Sequence, residues 1–384
     1  MADRRARPLS PMTFLARNAS KTVPLTLVLI LAVLLVFGIV SLINSIPLSI
    51  RTIYGAVRFA GFIDPRGDPA EIEKLKKIAE TESPVPIQPI FPVRVSSIMV
   101  RSLVGKWDFV ILAMDAPQVP AYLERVGAAD LQGRLPRPGQ PEMIISDPIA
   151  RNLGLKLGDL VLSPDNSEAY SPNPVRVVGI LPTQEWIMVA DREYYRKHHL
   201  PPVDVLVIMT QDPAKQAQFD VWAKERFSGL RARVTSYTEI RKQSDESFEV
   251  LYKILNVVIG MLVLVVTIMM GMLMNIYQGQ RLQEFALLQA LGYTKSTLLR
   301  RVLQESALVV VLGWLLGVLV SLGILSILKA SLFDPRAFSM HLLDARALAY
   351  TLPIPIAIFG AAWLTVWLRF RAFDPVGIVD RRIV

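Results

Sequence analysis

The stretch TVPLTLVLILAVLLVFGIVSLINSIPLSI, Thr22 to Ile50, contains no Asp, Glu, Lys or Arg. Three more stretches share that property: Ile254 to Gln280, Ser306 to Leu328 and Ala347 to Leu368. A bilayer core needs about 20 consecutive apolar helical residues, and a buried soluble helix is usually shorter. All four stretches therefore read as membrane spans. A hydrophobic fraction of 52% over 384 residues and a mean hydropathy of +0.40 agree. The first stretch is too long for a signal-peptide core, and no clear small-residue cleavage pattern follows it, so it reads as an uncleaved anchor.

Charge orients the spans. The net charge is +9, yet Arg51 to Glu249 is close to neutral, with 25 basic and 26 acidic residues. The excess lies beside the spans: Arg4, Arg5, Arg7, Arg17 and Lys21 before the first; Arg281, Lys295, Arg300 and Arg301 between the second and third; Arg369, Arg371, Arg381 and Arg382 after the fourth. Cationic loops stay in the cytoplasm. The reading is a basic cytoplasmic segment (1–21, with an interfacial helix from Pro11), spans at 22–46, 251–279, 305–328 and 347–368, a large extracytoplasmic domain at 47–250, a cytoplasmic loop at 280–304, a short outer loop at 329–346 and a cytoplasmic tail at 369–384. With its positive charge at the membrane, the high pI does not indicate nucleic-acid binding. The absence of cysteine excludes disulfides and thiol chemistry.

The outer domain alternates helical and strand patterns, which predicts an α+β fold of two subdomains. Pro69 to Thr81 reads as a helix. Pro84, Pro86, Pro89 and Pro92 punctuate a move into extended chain, and Phe109 to Met114 is a strand. Leu135 to Pro182 reads as a compact β-rich module: a strand at Met143 to Ser146, a helix ended by Gly154, a Gly158–Asp159 turn, and a strand at Val175 to Leu181. Its rim loops are structural or ligand-binding. Val203 to Met209, Ala214 to Phe227 and Arg231 to Thr235 follow as strand, helix and strand. From Ser236 an amphipathic helix runs straight into the second span.

The loop RLQEFALLQALGYTKSTLLRRVLQES, Arg281 to Ser306, carries the most information. Ala286, Leu287, Ala290 and Leu291 recur at helical spacing, Gly292 ends the helix, and Thr294 or Ser296 caps the next. Two readings fit: the short helix inserts into a partner's groove, or it lies on the lipid surface. In the third span Gly313, Gly317, Ser321 and Gly323 form a small-residue stripe, suited to close helix packing or simply facing lipid. Pro353 and Pro355 predict a break in the fourth span. Asp334 and Asp344, in the outer loop, read as solvated. His198 and His199 are adjacent, so they diverge on either a strand or a helix, and with three His and no Cys they make no zinc site. No G-x-x-x-x-G-K-[ST] phosphate loop is found; Gly292 to Thr297 lacks the second glycine and its spacing.

The 281–306 loop resembles the signature of the FtsX-like/MacB-type ABC transporter permease family (type VII, lipoprotein-releasing and macrolide-exporter-like). The matching positions are Glu284, Leu287, Leu288, Ala290, Leu291 and Gly292, with Glu305 at the start of the third span. FLARN at 14–18, PGQPEMIISDPIARNLGLKLGD at 138–159 and FDPVGIV at 373–379 are similar to other family segments, as is the order of one span, a large domain and three spans. The resemblance implies a bacterial inner-membrane permease with a separate ABC ATPase dimer bound at Glu284, Ala286, Leu287, Leu288, Ala290, Leu291 and Gly292. It also implies a second permease chain, a homodimer or two different chains. No cofactor of its own is expected, ATP and magnesium being held by the partner, and no enzymatic activity apart from the complex. Lipid surrounds the chain, and a periplasmic adaptor or acceptor is a further expected partner. For Glu305, solvation at the span's edge and contact with the partner or a neighbouring helix both remain. Export or extraction of hydrophobic or lipidated cargo by mechanotransmission is the first functional expectation. A signalling module activating a cell-wall hydrolase or sensor kinase is the second. A membrane-bound enzyme, the third, lacks a catalytic constellation.

Overall fold

The computed structural model describes residues 18–371 except 67, 69, 103, 104, 129 and 199–202. The segment before Asn18, the FDPVGIV motif and His199 lie outside the described residues. The chain forms two compact units. One comprises the chain through Asn44, Val250–Leu328 and the chain from His341; the other comprises Ser45–Glu249 and Lys329–Met340.

Helix α1 (Ala19–Ile53) is the first described element. At 35 residues it is about 52 Å long, well beyond the roughly 30 Å hydrocarbon core, so its last turns belong to the second unit. That extension was not read from the sequence, where the apolar stretch stops at Ile50.

The second unit follows the order β1 (Gly61–Asp64), α2 (Glu71–Glu82), β2 (Ile87–Ser102), β3 (Gly105–Met114), α3 (Val119–Arg125), β4 (Gln132–Gly133), β5 (Glu142–Ser146), α4 (Asp147–Leu153), β6 (Leu160–Leu162), β7 (Val175–Leu181), β8 (Met188–Asp191), α5 (Arg192–Lys197), β9 (Val203–Thr210), α6 (Gln216–Phe227) and β10 (Arg233–Thr235). All ten strands join one mixed sheet in the order β10-β1-β9-β2-β3-β8-β5-β7-β4, with β6 also on β7. The pairs β3–β8 and β5–β7 are parallel; the others are antiparallel. Strand side chains alternate between faces, and β9 shows the consequence. Val205, Val207 and Met209 enter one core cluster with Phe91, Val93 and Tyr122. Leu206 and Ile208 enter another with Leu75 of α2 and Phe219 of α6. A strand buried on both faces reads as a continuous apolar run, as VDVLVIM does. The Leu135–Pro182 module and the 203–235 segment, read from sequence as separate subdomains, share one sheet and one core cluster, to which Ile144, Leu181 and Val207 all belong. Gly154 closes α4 at φ 73°, the left-handed C-cap predicted for it.

The segment 329–340 departs from expectation. It belongs to the sheet unit, with Phe333 and Phe338 buried. Phe338 stacks on Trp186 at 5.6 Å between centroids. The Asn152 amide donates to the Arg336 carbonyl at 2.8 Å and to the Arg101 carbonyl at 2.9 Å, and its oxygen accepts from the Arg101 N–H at 2.9 Å.

Helix α7 (Tyr237–Gln280) is continuous over 44 residues, as the sequence predicted from Ser236. There follow α8 (Leu282–Ala290), α9 (Lys295–Leu328), α10 (Ala345–Thr351) and α11 (Pro353–Arg371). The break at Leu352 precedes Pro353, whose missing N–H and ring close off a helix interior. Among the described residues, four helical stretches are long and apolar enough to cross a membrane: Thr22–Ile53, Tyr237–Gln280, Lys295–Arg336 and Ala345–Leu368.

Candidate functional site: the elbow between α7 and α9

Arg281 interrupts the helix after α7, and α8 runs for nine residues before Leu291 ends it. Gly292 then takes φ 97°, a left-handed conformation costly for any residue with a Cβ. The Tyr293 N–H returns to the Leu288 carbonyl at 3.1 Å. The Thr294 hydroxyl accepts from the Thr297 N–H at 3.4 Å and starts α9. Three helical segments are thus folded into a tight elbow.

The inner side of α8 is packed. Phe285 and Ala286 lie in a buried cluster with Leu298 and Val302 of α9 and Val366 of α11, bordered by Leu288. The outer side is bare: Leu287 is 65% and Leu291 70% exposed, with Glu284, Ala290 and Gly292 also exposed. The seven residues expected at the docking surface therefore divide. Glu284, Leu287, Ala290, Leu291 and Gly292 are available to a partner. Ala286 is buried and Leu288 half-buried against this chain's own helices. With four apolar residues in succession, Phe285 to Leu288, the sequence marks no single stripe; the position of Leu298 and Val302 decides which side turns in.

A buried ion cluster holds the elbow. Arg281 Nη1 donates to Glu305 Oε2 at 2.7 Å and Nε to Glu284 Oε2 at 3.0 Å; Arg301 Nε donates to Glu305 Oε1 at 3.1 Å. Glu305 is 4% exposed. The Arg281 guanidinium also lies over the rings of Phe285 and Tyr277, at 5.0 and 5.7 Å from their centroids. Burying charge is costly unless pairing and hydrogen bonds offset it, and here both carboxylate oxygens of Glu305 are engaged. Of the two readings of Glu305, the structure gives contact with neighbouring helices of its own chain, in place of solvation. The Arg301–Glu305 spacing of four was a usable sequence signal; Arg281, 24 residues away, was not.

Two further ties hold this unit. A Cβ on Gly313 would stand 2.7 Å from Leu29 Cδ2, and one on Gly317 2.8 Å from Val33 Cβ, so α9 meets α1 at van der Waals limits. The buried Ser321 donates to the Gly317 carbonyl at 2.7 Å. Gly323 faces open space and lies off this seam. Farther along the helices, the Tyr252 hydroxyl donates to Asn44 Oδ1 at 2.7 Å and the Asn44 amide donates to Asp344 Oδ2. Asp344 also caps α10 through the Arg346 and Ala347 N–H groups. It is a bonded cap, not the solvated loop residue expected. Asp334 is exposed and pairs with Lys329 at 2.6 Å. His198 packs on the Tyr194 ring at 4.5 Å.

Residues 256–374 match the family model of the FtsX-like permease C-terminal domain. This stretch resembles the C-terminal domain of FtsX-like permeases. The elbow, the Arg281–Glu305–Arg301 cluster and the glycine stripe all fall inside the matched residues, whereas Leu29 and Val33, which meet the stripe, do not. Among solved structures, the chain is similar to the periplasmic region of MacB from Actinobacillus actinomycetemcomitans (13% identity, 49% of this chain and 92% of that one, TM-score 0.29). It is also similar to the extracellular domain of the noncanonic ABC-type transporter YknZ from Gram-positive bacteria (14%, 46% and 100%, 0.27). A third likeness is to a domain of a putative permease protein from Porphyromonas gingivalis (10%, 47% and 89%, 0.24). No curated protein sequence matches the chain.

Proposed function

We propose that this chain is the permease subunit of an ABC-type transporter in a bacterial inner membrane, working with a separate ATPase dimer. The elbow and both termini face the cytoplasm, and the sheet unit lies outside, a reading supported by the basic residues flanking the spans. The observation that carries the docking half is the bare Leu287–Leu291 face of α8, backed by the packing of Phe285 and Ala286 on Leu298, Val302 and Val366. An exposed pair of leucines on a braced nine-residue helix suits insertion into an apolar groove. Movement of the elbow travels along α7, whose 44 residues make a rod of about 66 Å. A second permease chain completes the complex, and its cargo is hydrophobic or lipidated, moved by the sheet unit toward a periplasmic acceptor.

The test is the double substitution Leu287→Asp/Leu291→Asp. Both side chains are exposed, so the melting point of the purified chain is expected to stay within about 2 °C of wild type. The ATPase that copurifies with wild type is expected to be lost. Recovery at wild-type level would overturn the docking assignment. Orientation is checked separately, since the chain is free of cysteine: Lys295→Cys is expected to label only after permeabilisation, and Lys74→Cys in intact spheroplasts.

A further inference from the structure

The sheet unit contains a cavity of about 230 Å³, walled by Phe62, Val95, Phe109, Leu112 and Trp186. Its size limits what it holds. An apolar cavity of about 150 Å³ accommodates benzene in another protein, and pockets for drug-sized ligands start near 300 Å³. The volume here fits one hydrocarbon chain or ring, and not a multi-ring compound.

One wall residue carries an unmet requirement. Trp186 is 1% exposed, fixed between the edge-on ring of Phe109 and the stacked ring of Phe338, and its indole N–H has no acceptor among the described residues. A buried donor without a partner is uncommon and calls for a missing acceptor. Asp64, also on the wall, disfavours an anionic head group by like-charge repulsion. In a chain with four bilayer-length helices, the abundant apolar ligand bearing a neutral acceptor oxygen is an esterified acyl chain.

We propose that this cavity binds a single neutral acyl ester, its hydrocarbon against Phe62, Val95 and Leu112 and its carbonyl oxygen accepting from Trp186 Nε1–H. The cavity wall includes Ile53, the last residue of α1, and Ile240 in the first turn of α7. An occupant thus touches the two helices that continue into the first and second spans. The assignment deepens the cargo half of the proposed function and rests on that reading for its purpose, but not for the binding itself.

The experiment uses the full chain in phospholipid nanodiscs, without ATPase, and a medium-chain monoacylglycerol bearing a photoreactive alkyl group. Crosslinks are expected on peptides containing Phe109–Leu112 and Trp186. They should appear despite the excess of diacyl phospholipid, and be displaced by unlabelled monoacylglycerol but not by the corresponding fatty acid anion. Val95→Trp fills the cavity and abolishes them. Trp186→Phe keeps an aromatic ring of smaller size, loses the donor and weakens displacement about fivefold, which also serves should Val95→Trp fold poorly. Crosslinks confined to the spans, suppression by the phospholipid alone, equal displacement by the fatty acid, or wild-type behaviour of Trp186→Phe would each overturn the assignment. None of these results bears on recovery of the ATPase by the elbow, so the two readings fail separately.

Discussion

Asn152 offers the sharpest test of how the sheet unit is held together. It is fully buried, and its amide makes three hydrogen bonds, two to the backbone of Arg101 in β2 and one to the Arg336 carbonyl. Asn152→Ala deletes all three and leaves a buried N–H and two carbonyls short of a partner. At about 1 kcal/mol net per bond, the loss is about 3 kcal/mol. For a unit of this size that lowers the melting midpoint by about 6–12 °C. Asn152→Asp is the more telling change. It keeps the volume and the acceptor for the Arg101 N–H, but turns a carboxylate oxygen toward two carbonyls, so it is expected to be at least as damaging. Thermal unfolding of the full chain, followed by near-ultraviolet circular dichroism of the Trp186 environment, reads the effect. If Asn152→Asp melted within about 1 °C of wild type, the idea that this side chain fastens 329–340 to the sheet would fail.

The seam between α9 and α1 predicts that Gly317→Ala destabilises by about 1–3 kcal/mol through contact with Val33, that Val33→Ala relieves it, and that Gly323→Ala is neutral; detergent melting curves of the four variants decide. Glu305→Ala leaves Arg281 and Arg301 without their shared counter-ion, at a cost of about 3–5 kcal/mol. Hydrogen exchange of the α8 amides should then quicken by at least about a hundredfold, and unchanged exchange would count against a brace. In the sheet unit, burial pushes the Asp220 carboxyl up to about 6. A raised carboxyl favours the protonated folded form, so its stabilising contribution is complete below about pH 4 and is lost as pH rises through about 6. This group should weaken wild type by about 3 kcal/mol across that window, and Asp220→Asn should lose that share of the slope; parallel slopes for the two proteins would refute the assignment.

Much of the architecture was visible in the chain because its signals are local. The uncharged stretches, the GLKLGD turn with Gly154, and the amphipathic run feeding α7 each declare themselves within a few turns of backbone. What escaped depends on distant partners. Strand β2 was read only as extended chain, since Pro89 and Pro92 argue against a ladder strand; the register shift between Ile87 and Ile90 accommodates Pro89, and the strand goes on to pair with both β9 and β3. Which side of α8 turns inward was not legible, because Leu298, Val302 and Val366, which bury Ala286, lie on other helices. Nothing near Phe338 indicates that it stacks on Trp186, more than a hundred residues earlier.

That last feature has a practical side. A soluble fragment cut at the obvious limits, 45–249, would be missing an internal plug: the Trp186 indole would lose the ring stacked on it, and Asn152 would aim its amide at solvent. A fragment that grafts 329–340 back through a short linker should be the better-behaved reagent for crystallography and ligand screening.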